Sequence, residues 1–382
     1  MTILNRGEFL KVGFMASLAC VFPPGSYARQ KRSGGKKSGG IPRVIHATDL
    51  YHVHCDPDDH WDLATQYALA ATGKINLVSV LLDYPSKPEL GDPDVMGVAQ
   101  MNYITGLAVP AVVGSPYPMK SRNDIQAAAS PLELQGINRV IQILSEADEP
   151  VVIHITGAAT HIAVALKREP DLFRKKCKAI YLNAGSANSV TDKKLEYNVK
   201  LNPLAFAAIF DAPCPVYWLP CTTRTNIGEV GEYGSYYRFV QGEILPGLSE
   251  KVRNFFLFML EQKKSHEWFS YLHGAVETSL VEAHSKTIRH MWCTAGFLHA
   301  AGQTVTPEGE IVSGIPAENP LFSFLPVKVN CDDEGYADWA PDPDSRDRFI
   351  LHVHDVKRYQ EAMTAALKKT LMQLAGSDPL SR

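Results

Sequence analysis

Carboxylates are concentrated in one short stretch of this sequence. Between Ala47 and Asp62, four aspartates fall within eleven residues, and an Ala- and Leu-rich segment follows them. An aspartate at the start of a helix satisfies free N–H groups and complements the helix dipole, which accounts for one or two of these side chains. Four carboxylates so close together repel one another unless a cation lies among them, and calcium prefers oxygen ligands of this kind. The stretch therefore predicts a metal site, built from Asp49, Asp56, Asp58 and Asp59.

Three histidines in the same loop give an alternative to calcium. His52 and His54 form a His-x-His pattern, and His60 follows them. Imidazole nitrogens bind transition metals, whereas carboxylates favour hard cations. Because the surroundings are rich in oxygen, calcium is the first choice and a transition metal the second.

A second candidate site is the Leu195–Asn198 segment. Glu196 and Asn198 are two residues apart, so in an extended segment both side chains would point to the same side. Both can hydrogen-bond hydroxyl groups, which would suit a sugar. The alternative is a polar loop that caps the next helix, with Asn202 at the N-cap and Pro203 in the first turn.

Strand and helix patterns alternate from residue 41 onwards. Continuous apolar runs such as Ile75–Leu82 and Val151–Ile155 are typical of strands that are covered on both faces. The rhythm predicts one α/β domain over 41–382, with a mostly parallel, Rossmann-like sheet and helices on both faces. Ligand sites in such sheets lie at the carboxyl ends of the strands. The pattern also predicts a first helix at Asp62–Thr72, mainly helical structure over 225–300 and an acidic loop over 331–347.

Composition narrows the class of partner. The chain is 45% hydrophobic, and its net charge of -3 comes from 38 basic and 41 acidic residues, which argues against nucleic acid as a partner. Seven scattered cysteines without a C-x-x-C pair indicate buried free thiols, although one bridge from Cys214 or Cys221 stays open. A small-molecule substrate and a homo-oligomer are compatible with these properties.

The first forty residues resemble an export leader. Their opening is similar to a twin-arginine signal, with Gly7 in place of the second arginine, and the apolar run Val12–Phe22 is too short to span a membrane. Cys20 ends a weak lipobox, and an ordinary cleavage site follows. We therefore predict an export signal over 1–28, a flexible basic tether over 29–40 and a periplasmic or cell-envelope location. Contact with a membrane would occur only through a lipid on Cys20. The alternative is a disordered cytoplasmic leader.

Taken in order, these segments resemble the inosine-uridine nucleoside hydrolase family. The family's Asp-Thr-Asp-Pro-Gly-x-Asp-Asp motif is matched by Thr48-Asp49 and then Asp58-Asp59, before the Ala/Leu-rich segment. Its Gly-Pro-Leu-Thr-Asn turn resembles Gly157–Ala163. Its Ala-Glu-Phe-Asn and Asp-Pro-Glu-Ala motifs resemble Leu195–Asn198 and Asn202–Ala205. The likeness extends over roughly residues 43–220.

The resemblance implies a metal-dependent hydrolase that cleaves the N-glycosidic bond of a ribonucleoside or related ribosyl compound. Calcium would be bound by Asp49, Asp59 and the main-chain carbonyl of Thr160, and Asp49 would take the proton of an attacking water. Asp58 would hold a ribose hydroxyl, and Glu196 and Asn198 the rest of the sugar. Aromatic contacts to the substrate would come first from His290 and Trp292, with His52, His54 and Trp61 as further candidates.

The sequence also departs from the family pattern. Ala47 stands where the motif begins with aspartate, Asp83 begins the segment that replaces a Gly-Asn pair, and the loop before Asp58 is longer. The family's late His-Asp pair is represented by Arg289–Ala295, which has no carboxylate, so Asp56 is the predicted replacement ligand. A non-catalytic sugar-binding protein, or a hydrolase of another glycoside, is therefore the alternative function.

Overall fold

The computed structural model describes residues 40–53, 57–85, 87, 91–188, 191, 194–223, 229–264 and 266–374. The predicted export signal and nearly all of the tether lie outside these described residues, as do His54, Cys55 and Asp56. Among the described helices, none is both long enough and apolar enough to cross a membrane.

Fifteen strands lie within the described residues, and nine of them form one central sheet. They are β1 Arg43–Thr48, β2 Tyr51–His52, β3 Asn76–Leu82, β4 Asp92–Pro93, β5 Ala111–Val113, β6 Val151–Ile155, β7 Cys177–Asn183, β8 Val216–Leu219, β9 Tyr237–Val240, β10 Ile288–Met291, β11 Gln303–Val305, β12 Ile311–Ser313, β13 Phe322–Cys331, β14 Ala337–Pro341 and β15 Arg348–Val353.

The strand order of the sheet is β14-β13-β15-β8-β7-β6-β1-β3-β5. From β15 to β5 all neighbours are parallel, and β13 is antiparallel to both β14 and β15. The remaining strands form two-stranded pairs: β2 with β4, β9 with β10, and β11 with β12. A mostly parallel sheet in an α/β domain is therefore confirmed.

Helices cover both faces of the sheet, as predicted. Alternate residues of β1 belong to different apolar clusters: Val44 packs with one set of helices and Ile45 with the other. In chain order the helices are α1 Asp58–Ala71, α2 Val95–Thr105, α3 Gln135–Glu146, α4 Thr160–Arg168, α5 Pro170–Lys176, α6 Tyr197–Leu201, α7 Pro203–Ile209, α8 Glu250–Leu260, α9 Trp268–His273, α10 Thr278–His284, α11 Thr294–Ala300 and α12 Val356–Leu371. Residues of α1, α2, α8, α11 and α12 join the cluster of Val44, and those of α3, α4 and α7 join that of Ile45.

Three predicted elements differ from the structure. Helix α1 begins at Asp58 and not at Asp62, because Asp58 and Asp59 occupy its first turn, where carboxylates are favoured. The region predicted as mainly helical contains the antiparallel pair β9 and β10. The predicted loop over 331–347 contains β14, which pairs with β13. The pairing of β9 with β10 joins Val240 to Ile288, which are distant in sequence, so local periodicity does not reveal it. Strand β14 forms a hairpin with β13, in which Cys331 pairs with Ala337.

A row of rings crosses the centre of the sheet on one face. His46 lies opposite His154, which lies opposite Tyr181. The His46 ring is fully buried and meets Phe297 edge to face, with ring centroids 5.6 Å apart. Burial disfavours the charged imidazolium and lowers the pKa of His46 to about 3, so this side chain is neutral in the core.

His46 is expected to make the fold sensitive to mild acid. Its folded pKa of about 3 lies below the ordinary 6.5, so the unfolded chain binds the proton first. The stability that comes from keeping His46 neutral in the core is fully present above pH 6.5. It is lost as the pH falls towards 3. Between pH 7 and pH 5 this linkage amounts to about 2 kcal/mol. The variant His46→Leu should therefore lose less free energy of unfolding over that interval, measured by urea denaturation. The exposed His266→Gln is the control, and an unchanged pH dependence in His46→Leu would contradict the assignment.

Candidate active site

A cavity of about 260 Å³ opens at the carboxyl ends of the parallel strands. Its walls come from the loops that follow β1, β6, β7 and β8, together with the start of α1, the segment around α6 and the residues after β10. Sixteen of the described residues line it: Asp49, Asp58, Asp59, Thr156, Asn183, Ser186, Lys194, Leu195, Glu196, Tyr197, Asn198, Lys200, Cys221, Thr222, Trp292 and Cys293.

Three predicted carboxylates meet in this cavity. Asp49 follows β1, and Asp58 and Asp59 begin α1; all three are less than a tenth exposed. The hydroxyl of Thr48 donates to Asp59 Oδ1 at 2.7 Å, which ties the end of β1 to the start of α1. The fold thus holds the acidic residues in a water-poor wall. Asp56 lies outside the described residues, so its predicted ligand role stays a prediction.

The loop after β6 passes directly against Asp49. A Cβ atom at Gly157 would lie 2.6 Å from both the Asp49 main-chain nitrogen and Asp83 Oδ2, so only glycine allows this approach. The Asp83 carboxylate also contacts His161 Nε2 at 2.7 Å and accepts a hydrogen bond from the Ala158 main-chain nitrogen. Asp83, which replaces the family's Gly-Asn element, therefore fixes the loop that borders the carboxylates.

Thr160 does not reach the cavity. It is the first residue of α4, so its carbonyl is directed along the helix, and its hydroxyl accepts a hydrogen bond from Asn202 Nδ2 at 2.9 Å. Thr156, at the end of β6, lines the cavity in its place. The predicted role of the Thr160 carbonyl as a cation ligand stays a prediction.

Glu196 and Asn198 line the cavity, but not on an extended segment. Glu196 is the N-cap of α6: its carboxylate accepts hydrogen bonds from the main-chain nitrogens of Gly185 at 2.8 Å and Asn198 at 2.9 Å. Burial raises the pKa of Glu196, while these N–H groups act in the opposite direction. The capping alternative is confirmed for the following helix, where Asn202 is the N-cap of α7.

The Asn198 side chain joins two strand ends. Its Nδ2 donates to the main-chain oxygens of Thr156 at 3.0 Å and Asn183 at 3.2 Å. Those residues end or follow β6 and β7, so the amide fixes the cavity wall between them. Its Oδ1 atom remains the group through which Asn198 could contact a ligand.

Of the two predicted aromatic contacts, His290 and Trp292, only one lines the cavity. Trp292 lines the cavity, whereas His290 is not among its lining residues. The His290 ring hydrogen-bonds the Tyr236 hydroxyl through Nδ1 at 2.7 Å and stacks on the same ring. Trp292 contacts both of these rings, with centroids 5.5 Å from Tyr236 and 6.4 Å from His290, so the three rings form one cluster, of which Trp292 lines the cavity.

The other ring candidates have different roles. Trp61 is fully buried and stacks on Phe256, with centroids 4.1 Å apart, so it belongs to the core. His52 Nδ1 lies 3.8 Å from Asp94, which also contacts His60 Nε2 at 3.0 Å. These residues line a separate crevice, and His54 lies outside the described part of the chain. The transition-metal alternative therefore receives no support from His52 at the main cavity.

Comparison with known proteins decides the family. The family model for inosine-uridine preferring nucleoside hydrolase matches residues 55–313. The chain belongs to this family. A curated relative, the pyrimidine-specific ribonucleoside hydrolase RihA of Enterobacter sp. (strain 638), is 24% identical over 147 residues. That alignment covers 38% of this chain and 44% of the relative, so it spans less than half of the relative's length.

Solved structures of other nucleoside hydrolases share the fold. The plant nucleoside hydrolase PpNRh1 has a TM-score of 0.50 at 15% identity, covering 87% of this chain and 99% of its own. The purine-preferring ribonucleoside hydrolase from Gardnerella vaginalis has a TM-score of 0.50 at 14% identity, covering 86% and 99%. At these identities the likeness establishes the α/β architecture of the family.

Cys293 occupies the cavity wall in the segment that lacks the family's late carboxylate. Burial, with the nearby carboxylates of Asp62 and Asp58, raises the pKa of the Cys293 thiol, which is therefore neutral. A neutral thiol is a poor ligand for a hard cation. The five described cysteines are buried thiols, as the sequence indicated; they are Cys177, Cys214, Cys221, Cys293 and Cys331.

The polar groups of the cavity are mainly oxygen atoms, which are the ligands that hard cations prefer. No group of three His, Cys, Asp or Glu side chains within the described ranges is arranged to hold a metal ion by itself. Two carboxylates, Asp49 and Asp59, nevertheless share the cavity with the uncharged oxygens of Thr156 and Asn183. A set of carboxylate, carbonyl and amide oxygens completed by water or ligand hydroxyls fits calcium.

Several cavity residues were not identified from the sequence. Asn183 ends the buried strand β7, so the rule that sites lie at the carboxyl ends of strands could have found it. Cys293 could have been found only by placing β10 correctly. Lys194 and Lys200 lie on either side of the Glu-x-Asn element, where they resemble ordinary surface lysines.

Proposed function

We propose that this chain is a metal-dependent hydrolase that cleaves the N-glycosidic bond of a ribonucleoside or related ribosyl compound. The observation that carries the proposal is the meeting of Asp49, Asp58 and Asp59 with Glu196 and Asn198 at one buried cavity. Hydrolysis of a ribosyl bond needs a carboxylate that activates water, carboxylates that bind the ribose diol and an amide that binds a further hydroxyl. The cavity offers each of these groups. Membership of the nucleoside hydrolase family supports the same reaction class.

Asp49 and Asp59 would hold calcium, with the main-chain carbonyl of Thr156 as a neutral donor. When bound, calcium would supply Lewis acidity towards water and ribose hydroxyls. The sequence-based choice of Thr160 is replaced here by Thr156, because Thr156 lines the cavity. Asp56 remains a candidate additional ligand.

The protein groups have separate tasks in the reaction. The Asp49 carboxylate accepts a proton as the water oxygen attacks C1′ of the ribose. The C1′–N bond breaks, and its electron pair leaves with the base, which then takes up a proton. Asp58 accepts a hydrogen bond from a ribose hydroxyl, and Asn198 orients the sugar. Trp292 contributes an apolar ring that excludes water from one wall.

A non-catalytic sugar-binding role is the second candidate, and one observation favours it. The thiol of Cys293 stands where a carboxylate would complete the cation site, so binding of a sugar without turnover is chemically consistent. Hydrolysis by the purified protein separates the two candidates.

We expect the full-length protein to release base and ribose from at least one of inosine, uridine, cytidine and adenosine. Chelation of calcium should abolish release, and added calcium should restore it. Calorimetry should show one calcium bound per chain. Because the ion binds the folded state, excess calcium should raise the melting temperature, with stabilisation of about 2.7 kcal/mol at a hundredfold excess over Kd.

Magnesium in place of calcium is the matched control, since it demands a tighter octahedral site. Binding of calcium and ribose without release of base would favour the sugar-binding protein. If neither calcium nor any ribosyl compound binds, the proposed function is wrong.

A further inference from the structure

Two lysines line the same cavity as the acidic residues. Lys194 precedes the Glu196 cap, and Lys200 lies within α6, so the two side chains flank the segment that carries Glu196 and Asn198. Both lysines are exposed, as expected at the mouth of the cavity, whereas Asp49 and Asp59 are buried. The cavity therefore has an acidic interior and a basic margin on one side.

The ammonium groups of Lys194 and Lys200 have no ion-pair partner among the described residues. By contrast, Lys167 pairs with Asp211 at 2.8 Å and Lys369 with Glu310 at 2.6 Å. Two lysines on the margin of a cavity, with no acidic partner in the part of the chain that the structure describes, leave their charge available to a ligand. A neutral nucleoside would make no use of that charge.

We propose that the preferred substrate carries a phosphate on the ribose 5′ carbon. This inference rests on the proposed function, and it specifies the substrate class of the same cavity. With the diol edge of the ribose at the carboxylates, the C5′ substituent projects away from them. The acidic interior repels a phosphate, while Lys194 and Lys200 attract it, so both ends of the cavity favour one orientation.

Tyr197, 40% exposed, lies between the two lysines in sequence and also lines the cavity. The margin thus combines two ammonium groups with an aromatic ring beside the sugar-binding segment. Attraction between exposed lysines and phosphate is screened by salt, so the preference should weaken as ionic strength rises.

The test compares each nucleoside with its 5′-monophosphate as a substrate of the full-length protein. We expect the monophosphate to have the higher kcat/KM. In the double variant Lys194→Met/Lys200→Met, the ratio of the two kcat/KM values should fall by about tenfold or more. Lys178→Met is the control. Lys178 is exposed at the amino end of β7, opposite to the strand ends that border the cavity, so its substitution should leave the ratio unchanged.

Binding of ribose and ribose 5-phosphate, measured by calorimetry, tests the inference without catalysis. Tighter binding of ribose 5-phosphate that is lost in the double variant supports the lysine site, even if no substrate is cleaved and the proposed function fails. Hydrolysis of nucleosides with no preference for the monophosphate would overturn the inference and leave the proposed function intact. Equal ratios in wild type and double variant would overturn it as well.

Discussion

Replacing Asp49 with asparagine is expected to lower kcat/KM for ribonucleoside hydrolysis by about 10³-fold or more. The carboxylate of Asp49 is buried in the cavity wall beside Asp58 and Asp59, where it is placed to accept the proton of the attacking water. Asparagine has the same shape but does not accept that proton at neutral pH, and as a cation ligand it contributes no charge. Loss of base catalysis and loss of metal affinity therefore act in the same direction.

Two measurements separate these contributions. Initial rates at saturating calcium report the loss of proton transfer, and calorimetry of Asp49→Asn reports the change in calcium affinity. The melting temperature should stay within a few degrees of wild type because the substitution conserves volume. Asp148→Asn, at an exposed site after α3, is the matched control. Activity within tenfold of wild type would remove Asp49 as the base.

The sequence predicted the part of the fold that depends on local pattern. Strand β6 was placed at its observed bounds, and the predicted strand Ile75–Leu82 matches β3 except for its first residue, because each is a short, mostly apolar run. Strand β15 was missed, although it lies in the parallel sheet beside β8. Its parallel neighbour β8 is more than a hundred residues away along the chain, and no local period encodes that pairing.

The sequence likewise located some residues of the cavity correctly and predicted the surroundings of others wrongly. Asp49, Asp58 and Asp59 were found because carboxylates at the end of a strand and the start of a helix have a direct physical meaning. The conformation around Glu196 was predicted wrongly: the segment was expected to be extended, whereas Glu196 is the N-cap of a short helix. Thr160, the predicted main-chain ligand, begins α4 and is not among the residues that line the cavity, so its role as a cation ligand stays a prediction.

Asp58 offers the second large effect, through the hydroxyls of the sugar. We expect Asp58→Ala to lower kcat/KM for a ribonucleoside by about 10²-fold or more, because a hydrogen bond to a buried carboxylate is strong and its loss leaves a hydroxyl unpaired. The substrate series consists of the ribonucleoside and its 2′-deoxy and 3′-deoxy analogues. One analogue lacks the hydroxyl that hydrogen-bonds Asp58. The wild-type protein should already hydrolyse that analogue slowly, and Asp58→Ala should change its kcat/KM little.

This comparison isolates the contact from any general damage to the site. If Asp58 binds one hydroxyl, the effects of substitution and deoxygenation are not additive, and the coupling identifies which hydroxyl is bound. Asp58 also lies in the first turn of α1, so a structural effect of its removal is expected to be about 1 kcal/mol and equal for all three substrates. An equal loss of kcat/KM across the series would therefore mean that Asp58 supports the helix start or the cation and does not contact the sugar.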